Sequence, residues 1–198
     1  QWARRMTKLK ALSVLECRDY VIDTFGADAP ARIKAAMTAT ARGQIYSEQL
    51  MASDWVELEA VVEHAVVIDY LFGSGDGKVC SEMIREITAR HHRGLYKAIL
   101  SAPNPREALT RSSRLWPRFY DRGETLVEFP TPTTAIKRIV GCLDLPRRAE
   151  LLVLPYYEET IRQAGGRDVV SEHVQCVASG ADCCISRLGW SEGFSPFP

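Results

Sequence analysis

The chain has 198 residues, of which 46% are hydrophobic, enough for one packed core and too many for a disordered segment. Lys plus Arg and Asp plus Glu number 25 each, so no net field draws the chain to nucleic acid or to an anionic membrane surface. No apolar run approaches the ~20 residues that span a bilayer, and the basic start is not followed by a signal-peptide core, which predicts a cytoplasmic protein.

Residues 1–6 read as a possible extension, residues 7–190 as one domain and residues 191–198 as a C-terminal tail. The apolar periodicity predicts a helix over 7–25, stopped by Gly26, and a second entered through Asp28 and Pro30. Ser53-Asp54 is expected to cap a third helix, whose apolar face runs through Leu58, Val61, Val62, Ala65, Ile68 and Phe72. A glycine-rich loop over 73–77 leads to a long helix over 78–100, with His91 on the stripe of Val79, Met83, Ile84, Ile87, Leu95 and Ile99. Another helix starts near Pro105 and runs through Leu109 and Trp116.

After Gly123 the period changes from helical to alternating, giving strands over 125–129 and 134–140. A helix over 146–164, interrupted or restarted at Pro155, ends at Gly165-Gly166. The last segment reads as a hairpin turning at Ser179-Gly180-Ala181-Asp182. The expected fold is α+β, a helical layer packed on a small antiparallel sheet that ends in a C-terminal β-hairpin.

If that hairpin centres on Gly180, Cys176 and Cys184 face one another, with Cβ atoms roughly 4.5–5.5 Å apart. His173, Cys176 and Cys184 then supply three zinc ligands, with Cys183, Glu172 or Cys142 to complete a tetrahedron. The alternative is a metal-free pair of packed or redox-labile thiols. Six cysteines without an export signal favour reduced thiols or a metal over a disulfide framework, and Cys17, Cys80 and Cys142 lie in apolar patterns as buried thiols.

A second candidate site centres on His91, either a satisfied core histidine or the polar point of an apolar pocket walled by Trp116, Phe119 and Tyr120. Gly189-Trp190-Ser191-Glu192-Gly193 fits the hydrolase elbow formula without room for a following helix, and Ser191 is expected to be dispensable. The 73–78 loop lacks the first glycine and the Ser/Thr of a phosphate loop. Glu158-Glu159 is expected to face solvent.

Cys176, Gly180 and Cys184, closing on Trp190, resemble the C-terminal signature of the four-vinyl-reductase ligand-binding domains, grouped with haem-NO-binding domains and TRAPP transport subunits. Arg42-Gly43, Ser53-Asp54-Trp55, Gly94, Leu115-Trp116, Tyr120 and Asp121-Arg122-Gly123 are similar to a myxobacterial paralogous family of that neighbourhood. The resemblance implies a non-enzymatic sensory or regulatory module that binds a small apolar molecule, with a homodimer or a protein partner as further options. It also implies zinc at the hairpin, because phenol-responsive relatives bind zinc through the Cys-x7-Cys pair. The runner-up it implies is a ligand-free interaction scaffold, as in the transport subunits. No Tyr-x-Ser-x-Arg signature of the haem-NO family occurs, so haem on His91 is not expected.

Overall fold

The computed structural model describes residues 6–94 and 96–192, the side chains of Ile99 and Glu192 excepted, so the stripe positions Leu95 and Ile99 and most of the 191–198 tail lie outside the description. A short strand β1 (Lys8–Lys10) leads into α1 (Ala11–Phe25), α2 (Ala29–Ala36) and α3 (Ala39–Ile45). Strand β2 (Trp55–Glu57) precedes α4 (Leu58–Phe72) and α5 (Lys78–Arg93), and three short helices follow, α6 (Lys97–Leu100), α7 (Pro105–Ser113) and α8 (Trp116–Phe119). The chain then forms β3 (Glu124–Thr131), β4 (Thr134–Val140), α9 (Glu150–Gln163), β5 (Gly166–Gln175) and β6 (Cys184–Glu192). Strands β3 to β6 make one antiparallel sheet in the order β3-β4-β6-β5, and α7 and α9 pack on it. This is the expected α+β arrangement of helices on a small antiparallel sheet with a C-terminal hairpin. No helix among the described residues is long and apolar enough to cross a membrane.

Several boundaries differ from the sequence reading. The helix expected from Pro105 through Trp116 divides into α7 and α8, because the Arg114 and Leu115 amides turn back onto the Arg111 and Ser112 carbonyls at 3.1 Å. Residues 8–10 are a strand because they pair with β2, Leu9 opposite Val56, and bury Leu9. The local helix-forming tendency of Lys and Leu yields to that pairing. Ser53-Asp54 does not cap α4: the Asp54 carboxylate accepts from the Met51 amide at 2.8 Å, closing a turn before β2. The helix over 78–100 breaks at Gly94, whose amide caps α5 on the Arg90 carbonyl at 2.8 Å, so His91 sits in the last turn of α5.

Pro155 does not interrupt α9, although a proline in a helix interior leaves the carbonyl four residues back without its amide partner. That carbonyl belongs to Leu151, and the buried Cys80 thiol donates to it at 3.5 Å from α5. A cysteine read as simple core thus fills the hydrogen-bonding gap that the proline opens.

The core has two parts. The larger lies among α1 to α5, reaching α9 and the Cys184 end of the sheet, and the smaller joins Leu109 of α7, Tyr157 and Ile161 of α9, and Ala135, Leu188 and Trp190 of the sheet. Strand β4 runs from one to the other with Ala135, Lys137 and Ile139 on its buried face. A lysine 1% exposed at the middle of that face is the main departure from an apolar interior.

Candidate functional site

A cavity of about 100 Å³ lies where α1, α4, α5, α7, α8, α9 and β3 converge. All four residues expected to share a pocket, His91, Trp116, Phe119 and Tyr120, line it. The His91 ring stacks on Phe119 at 5.7 Å between centroids, and Trp116 stacks on Tyr120 at 3.7 Å. The indole Nε1–H donates to the Arg122 carbonyl at 2.9 Å, which fixes the ring plane and leaves its carbon face to the wall.

His91 is 7% exposed, and its Nε2 lies 2.8 and 2.9 Å from the two carboxylate oxygens of Glu16 on α1. The imidazole is therefore a satisfied group and a cavity wall at once, which joins the two readings the sequence left open. Glu16 itself carries a sequence signal: an acidic residue beside Cys17 on the buried stripe of α1 needs a partner.

A few polar residues also line the cavity. Thr125 Oγ1 and Tyr157 Oη are buried without a hydrogen-bond partner, and both residues line the space. Burial pushes the Tyr157 and Tyr120 phenols up, so both stay neutral donors at ordinary pH. Ser112, also lining, donates to the Leu109 carbonyl at 2.8 Å and accepts from Lys137 Nζ at 3.3 Å. Nζ also donates to Ser113 Oγ at 2.9 Å and lies 4.3 Å from the centre of the Tyr157 ring. Burial alone pulls the Lys137 pKa down to about 7. The alternation of β4 placed Lys137 in phase with Ala135 and Ile139, a signal masked by Ile136 on the other face.

At the hairpin, the ligand atoms of His173, Cys176 and Cys184 lie within 4.8 Å of one another. The turn runs through a left-handed Gly180, φ 92°, and Cys176 and Cys184 are neighbours as their spacing predicts. His173 Nε2 is buried and unpartnered, and the Cys184 sulfur accepts the Val177 amide at 3.4 Å. The three proposed completing ligands lie outside this group. Glu172 points toward Arg187 at 3.9 Å, the Cys183 sulfur meets Gln175 at 3.6 Å, and the Cys142 thiol donates to the Arg122 carbonyl at 3.3 Å. One imidazole and two thiols make a donor set that zinc accepts, and Glu150 lines the small cleft beside them.

The strings that looked enzymatic have structural roles. The carboxylate of Asp69 holds the amides of Gly77, Val79 and Cys80 at 2.7, 3.1 and 3.4 Å, so these amides of the glycine-rich loop are already engaged. Ser191 lies within β6 and donates to Asp168 at 2.6 Å, while Gly193 of the elbow formula falls outside the described residues. Ser191→Ala is expected to change stability by no more than about 0.5 kcal/mol in a denaturant titration, since it removes one exposed contact. Glu158 does not face solvent as expected: it takes Arg85 at 2.6 Å and Ser171 at 2.6 Å, in a half-buried pair that lowers its pKa.

No protein-family model and no curated protein matches the chain. Among solved structures it is similar to the Fe(II) unliganded H-NOX protein from K. algicida, at 11% identity and a TM-score of 0.67 over 94% of this chain and 99% of that one. The H-NOX protein from S. oneidensis in the Fe(II)NO ligation state gives 10%, 0.65, 93% and 100%. A mutant of the T. Tengcongensis H-NOX gives 10%, 0.65, 94% and 100%. At such identities the likeness establishes the fold, that of the haem-NO-binding domains.

Proposed function

We propose that the chain is a non-enzymatic sensory module that holds a small, largely apolar molecule in the cavity bounded by His91, Trp116, Phe119 and Tyr120. The observation that carries this reading is the cavity itself: its lining is almost wholly apolar and aromatic, and two of the lining residues, Thr125 and Tyr157, carry buried hydroxyls without a partner. Ligand sites ordinarily combine apolar lining with a few convergent polar groups. An apolar cavity of roughly 150 Å³ admits benzene, so about 100 Å³ suits a single ring or short branched chain with slight adjustment of the walls.

The residues present do not fit haem. Cofactor-sized pockets run to several hundred Å³, against about 100 Å³ here. Among the described residues no Lys or Arg lines the space to receive the two propionates, and His91 Nε2 is engaged by Glu16. Cys17, which also lines the cavity, has its thiol pushed far up by burial, the reverse of an activated nucleophile, and this supports a binding role over an enzymatic one. Six free cysteines support a reducing, cytoplasmic setting.

Thermal unfolding with and without toluene tests the reading. At a hundredfold excess over Kd a ligand adds about 2.7 kcal/mol, or roughly 5–10 °C for a chain of this size. Val61→Phe, which fills the space from α4, is expected to abolish that shift. An unshifted wild type that instead captures a protein partner favours the scaffold reading.

A second, separate reading is a zinc ion held by His173, Cys176 and Cys184, supported by a ring nitrogen of His173 within 4.8 Å of the two thiols and by its buried, unpartnered Nε2. Bound zinc displaces the thiol protons and ties β5 to β6. Elemental analysis of the purified chain is expected to find one zinc, lost on Cys176→Ser or Cys184→Ser. Stoichiometric zinc surviving both changes would move the site elsewhere.

A further inference from the structure

We propose that the molecule held in the cavity is a small monocarboxylic acid, bound as its anion with the carboxylate toward Ser112, Thr125 and Tyr157 and with Lys137 behind them as counter-charge. This rests on the cavity reading above and adds the chemical class of the ligand.

The first support is the pair of orphaned hydroxyls. A carboxylate offers about four acceptor positions on two oxygens, and Thr125 Oγ1–H and Tyr157 Oη–H are two buried donors with nothing to donate to, both on residues that line the same space, so a small movement of the wall brings them to a ligand there. The second support is the unbalanced cation. Buried charges are ordinarily paired, yet no carboxylate among the described residues lies within ion-pair distance of Lys137 Nζ. The elements packed around it present only neutral groups: Ser112 and Ser113 from α7, Tyr157 with Tyr156 beside it from α9, Val127 from β3, and Ser186 with Cys184 further along β6. Ser112 and Tyr157 each touch Nζ and line the cavity, so the positive charge stands one side chain behind the cavity wall.

That arrangement separates ligand classes. A hydrocarbon leaves both hydroxyls and the ammonium uncompensated. A neutral phenol satisfies a hydroxyl and leaves the ammonium unpaired. A monocarboxylate answers all three, and its single charge matches the single cation, whereas phosphate or a dicarboxylate brings a second charge into otherwise aromatic walls. With Lys137 near half-protonation at about pH 7, an arriving anion favours the ammonium form, so binding above that pH takes up a proton.

Calorimetric titration of the whole chain with benzoate and with toluene, a pair matched in shape, tests this above pH 7 in two buffers of different protonation enthalpy. Benzoate is expected to bind at least about tenfold more tightly than toluene and to take up a fraction of a proton. Lys137→Met is expected to weaken benzoate about tenfold or more and to leave toluene within about threefold. Toluene binding as well as or better than benzoate, without proton uptake, overturns the acid and leaves the cavity reading standing. Failure of both probes to bind overturns the two together. If the variant does not fold, proton uptake by the wild type decides alone.

Discussion

Lys137→Met is expected to stabilise the chain by on the order of 3–5 kcal/mol at and below neutral pH, with the gain shrinking as pH rises. The fully buried amine titrates near 7 in the folded chain, against 10.5 for a solvated lysine, and desolvation is the only cause. Below pH 7 both states carry the proton, and the whole cost of burying an ammonium is present. Between pH 7 and 10.5 the unfolded chain holds a proton that the folded chain has lost, so wild-type stability rises with pH across that window. Each pH unit of the shift corresponds to about 1.4 kcal/mol, which sets the upper end of the expected gain. Methionine fills nearly the same volume, and its loss of the amine orphans no donor, because Ser112 and Ser113 both donate to the Leu109 carbonyl. Urea titrations of both proteins through this range check the effect. A variant less stable than wild type at pH 6–7 would mean that the ammonium already has a counter-charge in the folded chain.

A stabilising lysine replacement in a natural core points to a role other than folding. Native chains tolerate a costly buried group where function needs it, and Lys137 lies against Ser112 and Tyr157, which line the cavity. Part of the site was legible in the sequence. His91, Trp116, Phe119 and Tyr120 could be grouped because their helices are amphipathic and a histidine on an apolar stripe is conspicuous. The hairpin trio could be grouped because Cys176 and Cys184 are placed symmetrically about a glycine that must turn. Thr125, Tyr157 and Ser112 could not, since each reaches the site from a different element and none is unusual in its local pattern. Pairing of β1 with β2 and the cysteine that covers the Pro155 gap depend on contacts 47 and 71 residues apart in the chain, beyond any local period. The fold class needed only the order of periodicities, and that order is local.

Asp69→Ala is expected to cost about 3–5 kcal/mol and to loosen one wall of the cavity. Asp69 is 1% exposed in the last turn of α4, and its carboxylate takes amides from Gly77, Val79 and Cys80 at the start of α5. Helix α5 has no capping side chain of its own, because its N-cap is Gly77 with φ 86°. The preceding helix therefore supplies the acceptor, and a negative charge there also suits the positive end of the α5 dipole. The Asp69 carbonyl takes the Gly73 and Gly75 amides at 3.0 and 3.3 Å, so one residue organises the whole connection. Alanine leaves three amides short of a partner, each worth about 1–3 kcal/mol if it stays buried, less whatever water or loop movement recovers. Asparagine keeps one acceptor oxygen and is expected to fall between wild type and alanine. Because α4 contributes Val61 and α5 contributes Ile84, Ile87 and His91 to the cavity, the alanine variant should also show a smaller thermal shift with bound ligand than its own loss of stability explains. A denaturant midpoint unchanged from wild type would mean that the loop amides find other partners, and would reopen the glycine-rich segment as an anion site.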